Sequence, residues 1–162
     1  MSMLINSHYE FATKWEFAAP QAQVWQQLNS PESWPLWWRG VEQVELLNKG
    51  TDELGHGAVR KYTWRSRLPY RLTFLMQTTR VEPFSRIEGQ ATDELEGCGR
   101  WHLCHSEGVT RVRYDWQVKA NKRWMKWLAP VARSIFAWNH DIVMEWGRLG
   151  LIRRLKSSPS GG

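Results

Sequence analysis

The sequence has few of the features that anchor a protein in a membrane or suit it to an oxidising compartment. It contains only two cysteines. Cys98 and Cys104 share one face of a predicted strand and are too far apart along it to bond directly. We therefore expect free thiols and a reducing compartment. The sequence also lacks the basic and apolar regions of a secretory signal, and no apolar run approaches the ~18 residues of a membrane span, so we predict a cytoplasmic protein.

The chain lacks internal repeats, and its one stretch of biased composition is the terminal SSPSGG. A length of 162 residues suits one domain that buries its own core. Hydrophobic residues make up 42% and charged residues 23%, which is the composition of a folded soluble protein. We predict a single domain over residues 1–155, followed by a frayed polar tail over 156–162.

Tryptophan is the residue that the sequence has in excess, with twelve copies. Trp34, Trp37 and Trp38 all fall within the stretch PESWPLWWRG. Burial of one large apolar side chain gains roughly 1.5–3 kcal/mol, so these rings must pack on something. They are either core rings that fix a loop to a sheet or a hydrophobic lid over a cavity.

Alternation of apolar and polar residues predicts a series of β-strands. A strand over 9–17 carries aromatic residues at alternate positions, and a strand over 109–119 alternates apolar residues with charged or amide residues. A short amphipathic helix over 20–28 follows the first strand. Gly108 marks a hairpin before the last strand. Further strands are predicted over residues 41–47, 57–65, 71–82, 85–91 and 94–104.

From Asn121 the apolar period becomes that of a helix, with a wide stripe that predicts a long helix from Pro130 to Leu155. Pro130 either begins this helix or kinks a longer one. Consecutive strands with short turns pair antiparallel, and helices lie near the chain ends. The sequence therefore predicts an α+β fold in which a curved antiparallel sheet of about seven strands wraps around a long C-terminal α-helix.

Short motifs occur in a characteristic order along the chain. They are Trp15 to Phe17, Ala19-Pro20, Val24-Trp25, Trp34 through Trp38, Leu68-Pro69-Tyr70, Val81-Glu82-Pro83, Gly97 to Trp101, Tyr114 to Val118, Asn139-His140 and Gly147. In this order they resemble the START-like (SRPBCC) superfamily, most closely its bacterial polyketide cyclase/dehydrase and lipid-transport branch. The resemblance spans roughly residues 8–155. The two-Cys, two-His pattern of the Rieske oxygenase branch is absent.

This resemblance implies a helix-grip fold whose bent sheet and C-terminal helix enclose a deep apolar cavity. It implies no particular reaction, because the superfamily includes carriers, sensors, cyclases and chaperone activators. Aromatic residues at inward strand positions would narrow the cavity and favour a flat or aromatic ligand. The predicted ligand-binding residues are Trp37, Trp38, Tyr62, Trp64, Phe74, Trp101, Tyr114, Trp116, Phe136, Asn139, His140 and Val143.

Four polar residues are candidates for acid–base or oxyanion chemistry, namely Arg60, Tyr62, Tyr114 and His140. Arginine is rarely buried alone, so Arg60 either reaches solvent or pairs with a carboxylate or an acidic ligand. The resemblance to polyketide cyclases implies that an inward Arg or Tyr stabilises an enolate. Asn139 and His140 either link the helix to the sheet or face the cavity, where His140 could exchange a proton near neutral pH.

A basic segment connects the last strand to the long helix, with no acidic residue between Trp116 and His140. Basic residues mixed with indoles suit an anionic membrane surface, where each nearby charge contributes ~1 kcal/mol. The alternative is an ordinary solvated face whose tryptophans pack inward. Nucleic-acid binding is not expected, because the aromatic platforms of a single-strand binder are not evident. The basic residues proposed for membrane contact are Lys119, Lys122, Arg123 and Lys126.

Neither a metal nor a cofactor is expected. Cys98, His102 and Cys104 share a strand face, but a zinc site would need further ligands from elsewhere in the fold. Gly97 and Gly99 lie inside a predicted strand and open no helix, so they indicate a bulge or close packing rather than a phosphate loop.

The function predicted from the sequence is the binding or transport of a hydrophobic small molecule, which is a lipid, a polyketide or another aromatic compound. One alternative is a polyketide cyclase/dehydratase-like enzyme. A second is a membrane- or protein-docking module whose interior is filled by its own side chains. A cavity of roughly 300–1,000 Å³ favours binding, and polar groups that converge within it favour an enzyme.

Overall fold

The structure is a computed structural model that describes residues 8–120 and 129–157, with side chains from residue 134 onward in the second range. The helices are α1 (Gln21–Leu28), a 3-10 helix (Pro31–Leu36) and α2 (Ala129–Ser157). The strands are β1 (His8–Phe17), β2 (Val41–Asn48), β3 (Val59–Arg65), β4 (Arg71–Glu82), β5 (Arg86–Asp93), β6 (Leu95–Ser106) and β7 (Val109–Ala120).

The strands form one seven-stranded antiparallel sheet in the order β1-β7-β6-β5-β4-β3-β2. Strands β2 to β7 pair with their neighbours in sequence, whereas β1 pairs with β7 from His8↔Lys119 to Phe17↔Thr110. The connection from β1 at one edge to β2 at the other contains α1 and the 3-10 helix. This architecture confirms the predicted α+β class and its curved sheet with a C-terminal helix.

The inner face of the sheet carries the apolar half of each alternating strand. In β7, Val112, Trp116 and Val118 are buried, whereas Arg111 and Arg113 on the outer face are exposed. Strand β1 repeats the pattern, and its inward residues belong to the same core cluster. One-sided burial of this kind fixes the register, because a slip by one residue would turn every apolar side chain to solvent.

The tightest turn joins β6 to β7. Ser106 pairs with Val109, so Glu107 and Gly108 alone form the loop, with φ values of 52° and 76°. Two positive φ angles define the type I′ turn, whose twist matches that of a hairpin. The predicted role of Gly108 is confirmed, and Glu107 adopts the same left-handed conformation without being a glycine.

Two glycines allow α2 to approach the tryptophan-rich segment after the 3-10 helix. A Cβ on Gly147 would clash with the Trp38 ring, and a Cβ on Gly150 would overlap the carbonyl oxygen of Trp37. Trp38 Nε1 donates a 2.9 Å hydrogen bond to the Val143 carbonyl oxygen. The tryptophan segment therefore attaches directly to the backbone of α2.

The structure adds three details to the sequence expectations. The residues after α1 form a 3-10 helix, with Pro31 at the first helical position, where a missing N–H costs nothing. Pro130, which the sequence predicted to begin or to kink the long helix, is the second described residue of α2. The helix continues to Ser157, whereas the sequence predicted its end at Leu155.

Close packing accounts for the glycines inside β6. Gly97 has a φ of 151°, and a Cβ there would overlap the Gln117 carbonyl oxygen of β7. Gly99 lies beneath the rings of Tyr114 and Trp116, and its Cβ would lie 2.8 Å from the Tyr114 hydroxyl oxygen. Both glycines therefore make room for neighbouring atoms, as the sequence indicated.

Within the described ranges, no helix is both long enough and apolar enough to span a bilayer. Cys98 is half-buried and Cys104 exposed, and both are free thiols.

Candidate ligand-binding site

Two cavities lie on the inner face of the sheet. The first, which we call the helix cavity, lies between α2 and the sheet and has a volume of about 150 Å³. The second, the loop cavity, lies between the 3-10 helix, the β2–β3 loop and the sheet and has a volume of about 360 Å³. The side chains that border both cavities are Trp34, Trp64, Phe74, Trp101 and Tyr114.

Ring contacts join the members of this shared wall, either directly or through Trp38, Tyr62 and Trp116. Tyr114 stacks on Trp101 with ring centroids 4.1 Å apart, and Trp34 packs against both Trp101 and Tyr62. Pairs of aromatic rings in tilted or stacked geometry each contribute about 0.5–1.5 kcal/mol beyond the area that they bury. The interior therefore holds an ordered aromatic wall with space on either side of it.

The tryptophans of PESWPLWWRG have separate places in this arrangement. Trp34 belongs to the shared wall, and Trp38, which is 1% exposed, lines the helix cavity. Trp37, which the sequence predicted to bind ligand, lines neither of the two cavities. Its ring stacks on Trp38 and lies close to Gly150 of α2, so it packs helix against loop.

The structure brings most of the other predicted ligand-binding residues to one cavity. Tyr62 is an exception, because it lines the loop cavity and so lies across the shared wall from the helix cavity. The residues at the helix cavity are Trp38, Trp64, Phe74, Trp101, Tyr114, Trp116, Phe136, Asn139, His140 and Val143.

Several residues that the sequence reasoning did not select also line the helix cavity. Tyr9 and Phe11 of β1 and Leu72 of β4 lie on strand faces that the alternation had already marked as apolar, so the signal was present. Tyr70 and Ser66 come from the β3–β4 connection, for which alternation predicts nothing. The loop cavity likewise uses Asp52, Glu53 and Leu54 of the β2–β3 loop, and their positions carry no periodic signal.

The β2–β3 loop has a defined conformation at the mouth of the loop cavity. His56 Nε2 accepts a 3.1 Å hydrogen bond from the Val81 backbone N–H, which places the ring proton on Nδ1. Nδ1 lies 2.7 Å from Asp52 Oδ2 and donates to it. The carboxyl pKa of Asp52 is lowered, chiefly by the hydrogen bond from the His56 backbone N–H. The His56 imidazole therefore links the β2–β3 loop to β4 through two hydrogen bonds.

The helix cavity contains no charged group among its described lining residues, apart from the titratable imidazole of His140. Three of these residues carry buried polar atoms with no hydrogen-bond partner in the described part of the chain: Trp64 Nε1, Asn139 Oδ1 and both ring nitrogens of His140. Asp141 Oδ1 lies 4.0 Å from His140 Nδ1, which is beyond hydrogen-bond distance. A buried polar group without a partner costs about 1–3 kcal/mol.

His140 is a neutral imidazole at physiological pH. Its ring stacks on Phe11 with centroids 4.3 Å apart, and burial lowers its pKa from 6.5 to about 4. Such a low pKa argues against proton exchange at His140 near neutral pH, because desolvation disfavours the charged form. The neutral ring still offers one hydrogen-bond donor and one acceptor.

The depressed pKa of His140 predicts a loss of stability in mild acid. Between pH 6.5 and about 4 the unfolded chain binds a proton at this imidazole that the folded protein does not bind. The free energy of unfolding should therefore fall as the pH drops from 7 to 4, by about 3 kcal/mol from this group. Urea unfolding across this pH range measures the effect.

The matched comparison uses two histidine variants. In His140→Leu, the loss of stability between pH 7 and pH 4 should be smaller than in the wild type by about 3 kcal/mol. His102→Gln, which removes an imidazole from the outer face of β6, is the control for the loss of a histidine elsewhere in the sheet. Equal pH profiles for the wild type and His140→Leu would contradict the proposed burial of a neutral ring.

The other three candidate catalytic residues line the loop cavity. Arg60 Nε donates to Glu32 Oε1 of the 3-10 helix at 2.6 Å, so the guanidinium pairs with a carboxylate. Burial raises the phenol pKa of both Tyr62 and Tyr114 well above the usual value of 10. These hydroxyls therefore stay protonated and can act as hydrogen-bond donors rather than as bases.

The basic segment falls largely outside the described residues. Lys119 is a half-buried residue near the end of β7. Lys122, Arg123 and Lys126 lie between the described ranges, so their contact with a membrane stays a prediction.

A sheet that curves around a C-terminal helix, with cavities between the two, defines the helix-grip class of proteins. The chain belongs to the family described as polyketide cyclase/dehydrase and lipid transport, which matches residues 8–145. This result confirms the resemblance to the START-like superfamily. No curated protein matches the chain significantly in sequence.

Solved structures show the same fold at low sequence identity. The ZhuI aromatase/cyclase from Streptomyces sp. R1128 has a TM-score of 0.74 and 14% identity, over 96% of this chain and 99% of that one. A START superfamily protein from Mycobacterium smegmatis gives 0.71 and 13%, over 91% and 97%. Norcoclaurine synthase from Thalictrum flavum gives 0.61 and 12%, over 93% and 97%. Such low identities support the fold and not a shared reaction.

Proposed function

We propose that this protein binds a hydrophobic, aromatic small molecule in the interior between its sheet and its helices. The observation that carries the proposal is the pair of cavities on either side of the aromatic wall of Trp34, Trp64, Phe74, Trp101 and Tyr114. Ligand sites are concave, mostly apolar and supplied with a few polar groups, and the loop cavity of about 360 Å³ lies within their usual size range.

The shape of the interior favours an aromatic compound over a lipid. The wall divides the space, so a long acyl chain would have to displace stacked rings to extend from one cavity to the other. A flat molecule can instead stack on rings that are already in place, which keeps the cost of rearrangement low. The unfilled space also argues against a docking module whose interior is closed by its own indoles.

A cyclase/dehydratase-like enzyme is the second candidate, and the loop cavity supplies the observation in its favour. Arg60, Tyr62 and Tyr114 approach this one cavity from β3 and β7. Two protonated phenols beside a guanidinium are donors of the kind that stabilise an enolate oxygen. The ZhuI neighbour is an aromatase/cyclase by name. Ligand binding requires only the cavity. Catalysis would also require Arg60 to stabilise an enolate while its guanidinium is paired with Glu32.

The test of binding is a titration with N-phenyl-1-naphthylamine, an uncharged probe whose fluorescence rises in apolar surroundings. Its fused rings are too large for the helix cavity, so it reports on the loop cavity. We expect saturable binding by the wild type. Thr78→Trp should weaken it at least tenfold, because Thr78 lines the loop cavity and the new ring would fill the space.

The control is Gln77→Trp, which adds the same ring to an exposed position on β4 and should bind the probe like the wild type. Mass spectrometry of the protein under native conditions provides an independent measurement, through any hydrophobic compound that copurifies. A probe that does not bind, or binds Thr78→Trp as tightly as the wild type, would refute the assignment of the loop cavity as the binding site.

A further inference from the structure

Buried polar atoms without partners are concentrated at the helix cavity. In the described ranges such atoms occur on five residues, and Trp64, Asn139 and His140 are three of these. All three line the helix cavity. Such groups are rare in native proteins, and a molecule or ion that satisfies them is a standard explanation. The kinds of unpartnered atom at the helix cavity therefore indicate which chemical groups a bound ligand would carry.

The unpartnered atoms are of both hydrogen-bonding kinds. The Trp64 indole N–H can only donate, and the Asn139 carbonyl oxygen can only accept. A neutral His140 ring adds one donor and one acceptor. A ketone could satisfy only the donors, and a hydrocarbon could satisfy none of these atoms. A hydroxyl group both donates and accepts, so it matches the set.

The volume of the helix cavity and its uncharged lining restrict the class of ligand further. A cavity of about 150 Å³ with an apolar lining is large enough for a single benzene-sized ring. The described lining offers no carboxylate, guanidinium or ammonium to pair with a charged ligand. Burial of an unpaired charge is far more costly than burial of a hydrogen-bonded hydroxyl. The ligand must therefore be small and uncharged.

From these observations we propose that the helix cavity binds a single aromatic ring bearing an uncharged hydroxyl group, such as a phenol or the phenolic end of a larger molecule. This inference rests on the proposed function, because it assumes that the interior holds a ligand. It goes further by assigning a ligand class to the helix cavity and recognition of the hydroxyl to Trp64, Asn139 and His140.

The experiment compares phenol, toluene and benzoate, which share the ring and differ in its substituent. Titrations of the ¹⁵N-labelled full chain are followed through the tryptophan indole N–H resonances. Phenol should bind about tenfold more tightly than toluene, and benzoate at least a hundredfold more weakly than phenol. The Trp64 indole resonance should shift with phenol and much less with toluene.

Asn139→Leu is the decisive variant, since it keeps the side-chain size and removes the acceptor. It should bind toluene at least as tightly as the wild type and lose most of the preference for phenol. Gln77→Leu makes the same chemical change on the exposed face of β4 and should keep that preference. Val143→Phe fills the helix cavity from α2 and should abolish phenol binding, which gives a second variant if Asn139→Leu does not fold.

Three results would overturn the inference: toluene binding as tightly as phenol, benzoate binding as tightly as phenol, or phenol binding that neither variant changes. Failure of all three compounds would also overturn it. If N-phenyl-1-naphthylamine still bound to the loop cavity in that case, the proposed function would survive without this assignment. If that probe failed as well, both proposals would be refuted.

Discussion

Gly150→Ala is expected to destabilise the protein by about 3 kcal/mol or more, or to prevent folding. An added Cβ would overlap the Trp37 carbonyl oxygen, which is a backbone atom and cannot rotate away. Overpacking of a well-filled interior typically costs about 1–3 kcal/mol, and a clash with backbone lies at the upper end of that range or beyond it. Urea unfolding monitored by circular dichroism measures the change.

The sign of this effect makes it diagnostic. In an ordinary exposed helix, the same substitution stabilises by roughly 0.5–1 kcal/mol, because alanine has the higher helix propensity. Arg153→Ala, at an exposed position in the same helix, serves as the control and should change the unfolding free energy by no more than about 0.5 kcal/mol. A stabilised Gly150→Ala protein would show that α2 and the Trp37 segment are not in contact.

The second large effect is expected from Trp38→Ala, which should cost about 3–5 kcal/mol of unfolding free energy. Trp38 is among the largest fully buried side chains, and its ring contacts Trp15, Trp34, Trp64 and Trp101. Removal of the ring would leave a void against α2 and the sheet at the same time. Chemical unfolding of the purified variant measures the cost.

Trp38→Phe separates packing from hydrogen bonding. It keeps most of the buried ring area but removes the Nε1 donor to Val143, so it should cost about 1–3 kcal/mol. Trp138→Ala is the matched control, since the Trp138 side chain is 52% exposed and its removal should change stability little. Equal losses for Trp38→Ala and Trp138→Ala would contradict the packing described for Trp38.

The fold could be predicted from the sequence because one face of the sheet is buried and the other is not. In β1 and β7, this produces alternation along most of the 10 and 12 residues, which a strand satisfies and a helix cannot. The change of period after Asn121 then identified the long helix. The 3-10 helix was missed because PESWPL has no periodic apolar pattern, and its conformation follows from the packing of Trp34.

The candidate site could be predicted only in part. Inward positions on strands can be counted, so rings such as Trp64, Phe74 and Trp101 were found from their spacing. Spacing does not reveal which rings touch, and the division into two cavities depends on the tilt of Trp34 and Tyr114. The neutral state of His140 depends on its burial against Phe11. Loop residues such as Asp52 reach the loop cavity through hydrogen bonds that no pattern encodes.

The pairing of β1 with β7 has a consequence for how the chain acquires its structure. All other strand pairs are neighbours in sequence and can form as local hairpins, but β1 pairs with β7, which lies about 90 residues further along the chain. Contacts between distant segments slow folding, because chain entropy is lost before they form. During synthesis, Tyr9, Trp15 and the other inward rings of β1 therefore stay exposed until β7 has left the ribosome, and exposed apolar surface of this kind favours aggregation.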